Sequence, residues 1–218
     1  MATTPLTQPC ALAVFVKTAE LSPVKTRLAA TLGKDSAIAV YRESLRLLQQ
    51  QLHHAANAGV AVHYAVAEAA GVRAPCWQQY PAFHTGDGDL GQRLHQVYQH
   101  LRQFAPRVIL IGADCPQLSA ELILQAANSE RTVIGAAQDG GFYLFASSCS
   151  IRQQQWTAPQ YSSNTTREEL IHALDDPQIE LLPTLTDIDD HASLVQCLDE
   201  LRRYTPAADW RGLAELLD

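Results

Sequence analysis

Three short apolar runs constrain this chain most: ALAVFV (11–16), VAVHYAV (60–66) and RVILIG (107–112). Uninterrupted runs of this length suit strands covered on both faces, as in a parallel sheet. Between them, apolar residues recur every three or four positions. Ile38, Tyr41, Leu45, Leu48 and Leu52 mark one side of a helix opening at Ser36, and Leu90, Leu94, Val97, Leu101 and Phe104 mark another. Strands alternating with helices predict an α/β fold, a single-domain three-layer α/β/α sandwich on a mainly parallel, mixed sheet.

The remaining elements follow from the same signals. PVKTRLAATLG reads as a loop entering a short helix that Gly33 stops. SAELILQAAN is a helix capped by Ser119. TVIGA and FYLFA flank QDGG, a turn signal, and they break the strict alternation, which predicts an antiparallel excursion. TTREELIHAL is a helix, IELLPTL a last strand, and DDHASLVQCLDELRRY and AADWRGLAELL are closing helices. One domain spans 1–218, with residues 1–9 expected to be a flexible polar tail.

Bulk properties narrow the function. With 218 residues, 47% of them hydrophobic, the chain can bury a substantial core. Its net charge is −7 and no basic stripe is visible, so no nucleic-acid partner is expected. No apolar run approaches the roughly 18 residues of a membrane span. The five cysteines are scattered, odd in number and without a C-x-x-C pair, which fits reduced thiols. With no basic segment ahead of an apolar block at the N-terminus, a cytoplasmic location is expected. No feature speaks to oligomeric state.

The stretch HTGDGDLGQRL contains G-x-G-x-x-G at Gly86, Gly88 and Gly91, with Asp114 some twenty positions on. That spacing imitates a dinucleotide fingerprint. The preceding YPAFHT carries a proline and few aliphatics, a poor candidate for a buried strand. Asp87 and Asp89 inside the turn would repel a diphosphate. A glycine turn with Asp87 or Asp89 capping the next helix explains the stretch without a dinucleotide.

Four loops carry the candidate chemistry, and in parallel α/β sheets the loops at strand carboxyl ends gather on one rim. The first holds Lys17, Lys25 and Arg27 near a helix start, a local positive site suited to phosphate. The second ends a buried strand on Asp114, a costly place for a carboxylate unless it pairs or binds a cation such as Mg²⁺ or Mn²⁺. In the third, Asp139 precedes Gly140 and Gly141, with Tyr143 beyond; Asp139 can bind substrate hydroxyls or act as a base. The fourth is LTDIDDHASL, where Asp190 can cap a helix and Asp187 or Asp189 can supply a second metal carboxylate. No histidine metal pattern and no nucleophile motif is present. Direct transfer on a metal-bound diphosphate fits that absence, since positioning and charge stabilisation then dominate.

The segments FVK…VKTRLAATLG, GDLGQRL, VILIGADCPQL, IGAAQDGGFYLF and LTDIDD, in this order and over nearly the whole chain, resemble the bacterial DUF2064 family. That family is glycosyltransferase-like, with the nucleotide-diphospho-sugar transferase (GT-A, Rossmann-like) fold, and is distantly similar to guanylyltransferases. The resemblance implies that Lys17, Lys25, Thr26 and Arg27 meet nucleotide phosphates. It implies Asp114 as a metal ligand with Asp189 as the second. Gly88, Asp89, Gly91 and Arg93 would shape the nucleotide pocket, and Asp139, Gly140, Gly141 and Tyr143 the acceptor side. The implied activity is metal-dependent glycosyl transfer from a nucleotide sugar to a small-molecule acceptor. The alternatives are nucleotidyl transfer from an NTP to a phosphorylated small molecule, or nucleotide binding without catalysis. The family's first loop usually reads K-x-P-x-x-G-x-V-K-T-R-L, whereas Ala19 and Ser22 stand here at its Pro and Gly positions and Pro23 follows. A loop of different shape is therefore expected.

Overall fold

The computed structural model describes residues 6–204 and 207–217. Strand β1 (Cys10–Val16) leads through a loop into α1 (Thr26–Leu32) and the long α2 (Lys34–Asn57). Strands β2 (Ala61–Val66) and β3 (Ala82–His84) precede α3 (Leu90–Arg102), β4 (Arg107–Gly112) and α4 (Ala120–Asn128). Then come β5 (Val133–Ala137), β6 (Phe142–Ser147), α5 (Gln153–Thr157), α6 (Thr166–Leu174), β7 (Glu180–Leu185), α7 (His191–Tyr204) and α8 (Ala207–Ala214).

Among the described residues the strands form one seven-stranded sheet, ordered β3-β2-β1-β4-β6-β5-β7. Only β6 runs against its neighbours, pairing antiparallel with β4 and β5. The predicted excursion is therefore a single reversed strand inside a parallel sheet. The register sets Val16 beside Val66 and Phe15 beside Gly112, so β1, β2 and β4 end level on one rim.

Alternation along β1 divides the core. Leu12, Val14 and Val16 face a cluster with Tyr41, Leu48 and Leu52 of α2 and Ile123 of α4. Ala11 and Ala13 face the other layer, with Tyr98 of α3, Trp156 of α5 and Leu170 of α6. Helix α2 has a second buried side that the predicted stripe does not contain: Ala37, Val40 and Leu47 pack with α1, α7 and α8. The two buried sides leave Arg42, Arg46, Gln50 and His53 on the exposed face.

Three details differ from expectation. YPAFHT does yield a strand, but β3 has three half-exposed residues at the sheet edge, where a proline just ahead is tolerated. Phe104 lies beyond the end of α3 and is exposed. Residues 6–9 of the expected tail are anchored: Leu6 packs on the core, Thr7 N–H donates to Asn128 Oδ1 at 2.9 Å, and Pro9 O accepts from Arg107 N–H. Residues 1–5 of that tail lie outside the described residues. No helix of the described residues is long and apolar enough to cross a membrane.

Gly91 permits the closest helix contact. A Cβ there would stand 2.4 Å from the Trp156 carbonyl oxygen and 2.9 Å from the Tyr161 ring. Gly91→Ala is expected to push α3 off α5 and lower stability by about 1–3 kcal/mol. A shift of the urea midpoint at unchanged m-value will show it.

Candidate functional site

The rim at the strand carboxyl ends gathers the four loops. The first is held from behind. Tyr41 Oη accepts the Lys17 N–H at 3.0 Å and donates to Lys17 O at 2.9 Å. Buried Thr18 donates its N–H to Glu68 Oε2 at 2.8 Å and accepts from Trp77 Nε1 at 3.2 Å. Leu21 and Ser22 N–H both close on Thr18 O, at 2.8 and 3.0 Å, so a turn shapes the loop without a glycine. Glu68 and Trp77 escape a motif search; the only sequence signal for Glu68 is a carboxylate just past a buried strand.

The three basic residues then diverge. Lys17 is exposed at the end of β1. Lys25 sits in the left-handed region at φ 49°, ψ 47°, a strained conformation for a residue with a Cβ. Its side chain is only 4% exposed, and its ammonium donates to Asp114 Oδ1 and to Ile188 O. Thr26 opens α1 at the surface. Arg27 turns outward and pairs with Asp189 at 2.5 Å.

Beside the Lys25–Asp114 contact lies a pocket of about 310 Å³. Asp114, Asp139, Asp187, Gly141 and Tyr143 line it, together with Phe15, Leu90, Leu94, Phe142 and Tyr161. Asp139 Oδ1 accepts the Gly141 N–H at 2.8 Å, which locks the turn. Gly140 has φ 92°, and a Cβ on it would lie 2.0 Å from Asn164 O, so the turn and the approach to α6 need glycine there. The Tyr143 hydroxyl donates to Pro183 O at 2.9 Å and is not free to donate to a ligand. Burial, then repulsion from Asp139 and Asp114, pushes the Asp187 carboxyl up to about 6.

The second carboxylate facing the pocket is therefore Asp187, and the structure does not bring Asp189 into that group. Ile188 explains the split. Its N–H donates to Asp114 O at 2.9 Å and its side chain is buried among α1 and α7, so the chain crosses the rim there. Asp189 emerges beyond it, toward Arg27, and Asp190 Oδ1 takes the Ser193 N–H as the cap of α7. Among the described residues no three His, Cys, Asp or Glu side chains stand close enough to hold a metal by themselves.

Gly88, Asp89, Gly91 and Arg93 do not line the pocket. Asp89 caps α3 in a capping box with Gln92, Gly88 takes φ 106° in the turn, and Arg93 Nε donates to Gly88 O at 2.9 Å. Their neighbours Leu90 and Leu94 reach the pocket wall instead.

The profile of DUF2064, a family described as an uncharacterized protein conserved in bacteria, matches residues 47–163. This chain belongs to the DUF2064 family. The matched part contains Asp114 and Asp139 but neither Lys25 nor Asp187. A candidate nucleotide-diphospho-sugar transferase from Desulfovibrio desulfuricans G20 superposes over 94% of each chain, with a TM-score of 0.80 and 25% identity. A 4-diphosphocytidyl-2C-methyl-D-erythritol synthase from Anaerococcus prevotii DSM 20548 covers 90% of this chain and 99% of its own, with a TM-score of 0.53 and 10% identity. Rv0371c from Mycobacterium tuberculosis H37Rv covers 88% and 98%, with a TM-score of 0.52 and 13% identity. The last two share the fold alone. No curated protein sequence matches. The fold of this DUF2064 protein is thus that of the nucleotide-diphospho-sugar transferases.

The raised Asp187 carboxyl gives the DUF2064 chain a pH signature. An unperturbed Asp titrates near 3.9, about two units below Asp187 in the fold. Between those values the folded state holds a proton that the unfolded chain has lost, so stability falls as pH rises from about 4 to about 6 and then levels. Asp187→Asn removes that loss. In chelator, thermal unfolding should show its gain in Tm growing across this window and constant above it; a gain independent of pH would mean that Asp187 titrates normally.

Proposed function

We propose that this protein is a divalent-metal-dependent glycosyltransferase that uses a nucleotide-diphospho-sugar donor. The observation that carries the reading is the Lys25–Asp114 contact at the strand-end rim, beside the pocket. It places a buried ammonium and a half-exposed carboxylate side by side where ligands of such sheets bind. The likeness to the Desulfovibrio protein over almost the whole chain supports the same class.

The residues fit a hard cation. Asp114 keeps one oxygen outside its contact with Lys25, and Asp187 is held at a potential unfavourable to its own charge. Two carboxylates with an incomplete shell suit Mg²⁺ or Mn²⁺ when phosphate oxygens complete it. Asp114 and Asp187 would hold the ion, which neutralises charge on a diphosphate when bound. Asp189 keeps Arg27 in place on the nucleotide side, with Lys17 at the end of β1 and Thr26 at the start of α1, both exposed. The turn at Gly88 and Asp89, with Gly91 and Arg93, fixes the start of α3 at the edge of the site.

In the transfer, an acceptor hydroxyl oxygen bonds to the anomeric carbon of the donor. The bond from that carbon to the diphosphate oxygen breaks, and its electron pair leaves on the nucleoside diphosphate. Lys25 faces that developing charge, an arrangement that stabilises the transition state more than the ground state. Asp139 Oδ1 is occupied by Gly141, so Oδ2 is the atom that takes the acceptor's proton.

Thermal shift tests this reading. A nucleotide sugar at about a hundred times its Kd, with Mg²⁺, should raise Tm by about 5–10 °C. Asp114→Ala should lose the metal-dependent part, and Lys25→Met most of the nucleotide shift. Turnover should release nucleoside diphosphate. Pyrophosphate from an NTP would instead establish a nucleotidyltransferase, and no shift from any nucleotide would refute both.

A further inference from the structure

We infer that the pocket is an acceptor subsite for a neutral or cationic, hydrogen-bond-donating molecule with an apolar face, and that it rejects phosphorylated acceptors. The inference rests on the transferase reading and adds the substrate class.

Three observations carry it. First, the charged side chains among the described lining residues are all acids, Asp114, Asp139 and Asp187, and no Lys, Arg or His lines the pocket with them. The nearby cations serve the donor side or the protein itself: Lys25 contacts Asp114 and Ile188 O and faces the donor diphosphate, Arg27 pairs with Asp189, and Arg93 Nε donates to Gly88 O. With a cation on Asp114 and Asp187 committed to the donor diphosphate, a phosphate on the acceptor would meet that diphosphate's charge and the open Asp139 carboxylate, in a cleft that screens them poorly.

Second, the pocket offers acceptors far more than donors. The hydroxyls of its polar residues are mostly spent on the protein's own carbonyls. Tyr161 Oη donates to Trp156 O at 2.6 Å, Tyr143 Oη to Pro183 O at 2.9 Å, and Thr166 Oγ1 to Gln160 O at 2.8 Å. Asp139 Oδ2 remains open while Oδ1 is held by Gly141 N–H. A ligand that satisfies such a site must bring its own O–H or N–H groups.

Third, the rest of the wall is apolar. Phe15, Leu94, Phe142 and the Tyr161 ring line it, and Leu90 is 44% exposed at its edge, the first residue of α3. Apolar walls with a few polar groups at one end bind a molecule with one greasy face and one hydroxylated or amino edge. At about 310 Å³ the space is at the small end of ligand pockets, which suits a single ring.

The test uses the full-length protein and a matched pair of probes, phenyl β-D-glucopyranoside and its 6-phosphate. Donor binding is first measured separately, by calorimetry with nucleotide sugars and Mg²⁺. Probe affinities are then read by saturation-transfer NMR, and binding in the pocket is the part that Phe142→Ala removes. The neutral probe should bind at least about 30-fold more tightly than the phosphate. Asp139→Lys should reverse the order, and Asp139→Asn, which can keep the turn, should narrow the gap. Equal or tighter pocket binding of the phosphate overturns the inference, as does the absence of any Phe142-dependent binding of the neutral probe. Failure of donor binding with the neutral preference intact would remove the transferase reading alone.

Discussion

The ammonium of Lys25 is the tie on which the rim depends. It joins the loop after β1, the end of β4 and the segment after β7, which are 89 and 163 positions away in sequence. A buried ammonium without partners would be costly, and two oxygen acceptors offset that desolvation. The left-handed backbone at Lys25 adds strain, which persists because the surroundings over-determine it. The hydrogen bond from Ile188 to Asp114 lies beside the same junction, so one short stretch of backbone both receives the lysine and aligns the pocket carboxylates.

Much of this was legible in the sequence, and the parts that were not have definite physical reasons. β1 and β4 are readable because strands buried on both faces become continuous apolar runs. Asp114 stands out as a charge at the end of such a run. The reversed β6 is foreshadowed by Gly140 and Gly141 between two apolar stretches. The second buried side of α2 is hidden because Ala37, Val40 and Leu47 blur an otherwise clear stripe. Spacing places Lys25 and Arg27 in one loop, but only the fold turns one inward and the other out. Asp187 and Asp189 are equivalent on paper until the burial of Ile188 decides which faces the pocket. Tyr143 is visible as an aromatic beside a turn, while its bond to Pro183 depends on a strand forty residues later.

The glycine triplet shows how a motif can be structurally sound and chemically different from its namesake. Gly86 and Gly88 take positive φ to turn the chain, Asp89 closes the helix cap, and Gly91 lets α3 approach α5. Each serves the placement of α3, and that placement delivers Leu90 and Leu94 to the pocket. The acids that argue against a diphosphate there are capping or solvated groups.

The reversed strand has a consequence for how this scaffold can vary. Because β6 runs back beside β4, the chain reaches the rim on β5 and leaves it again within four residues, 138–141. Elsewhere on the rim the chain departs through longer loops that can lengthen. Here the hairpin is clamped by Gly140 against Asn164 and by Asp139 on Gly141. It has no room for an insertion without losing its strand pairing. Insertions on this rim should therefore fall in connections such as 17–25 between β1 and α1 or 113–119 between β4 and α4, leaving the hairpin as the fixed jaw of the pocket.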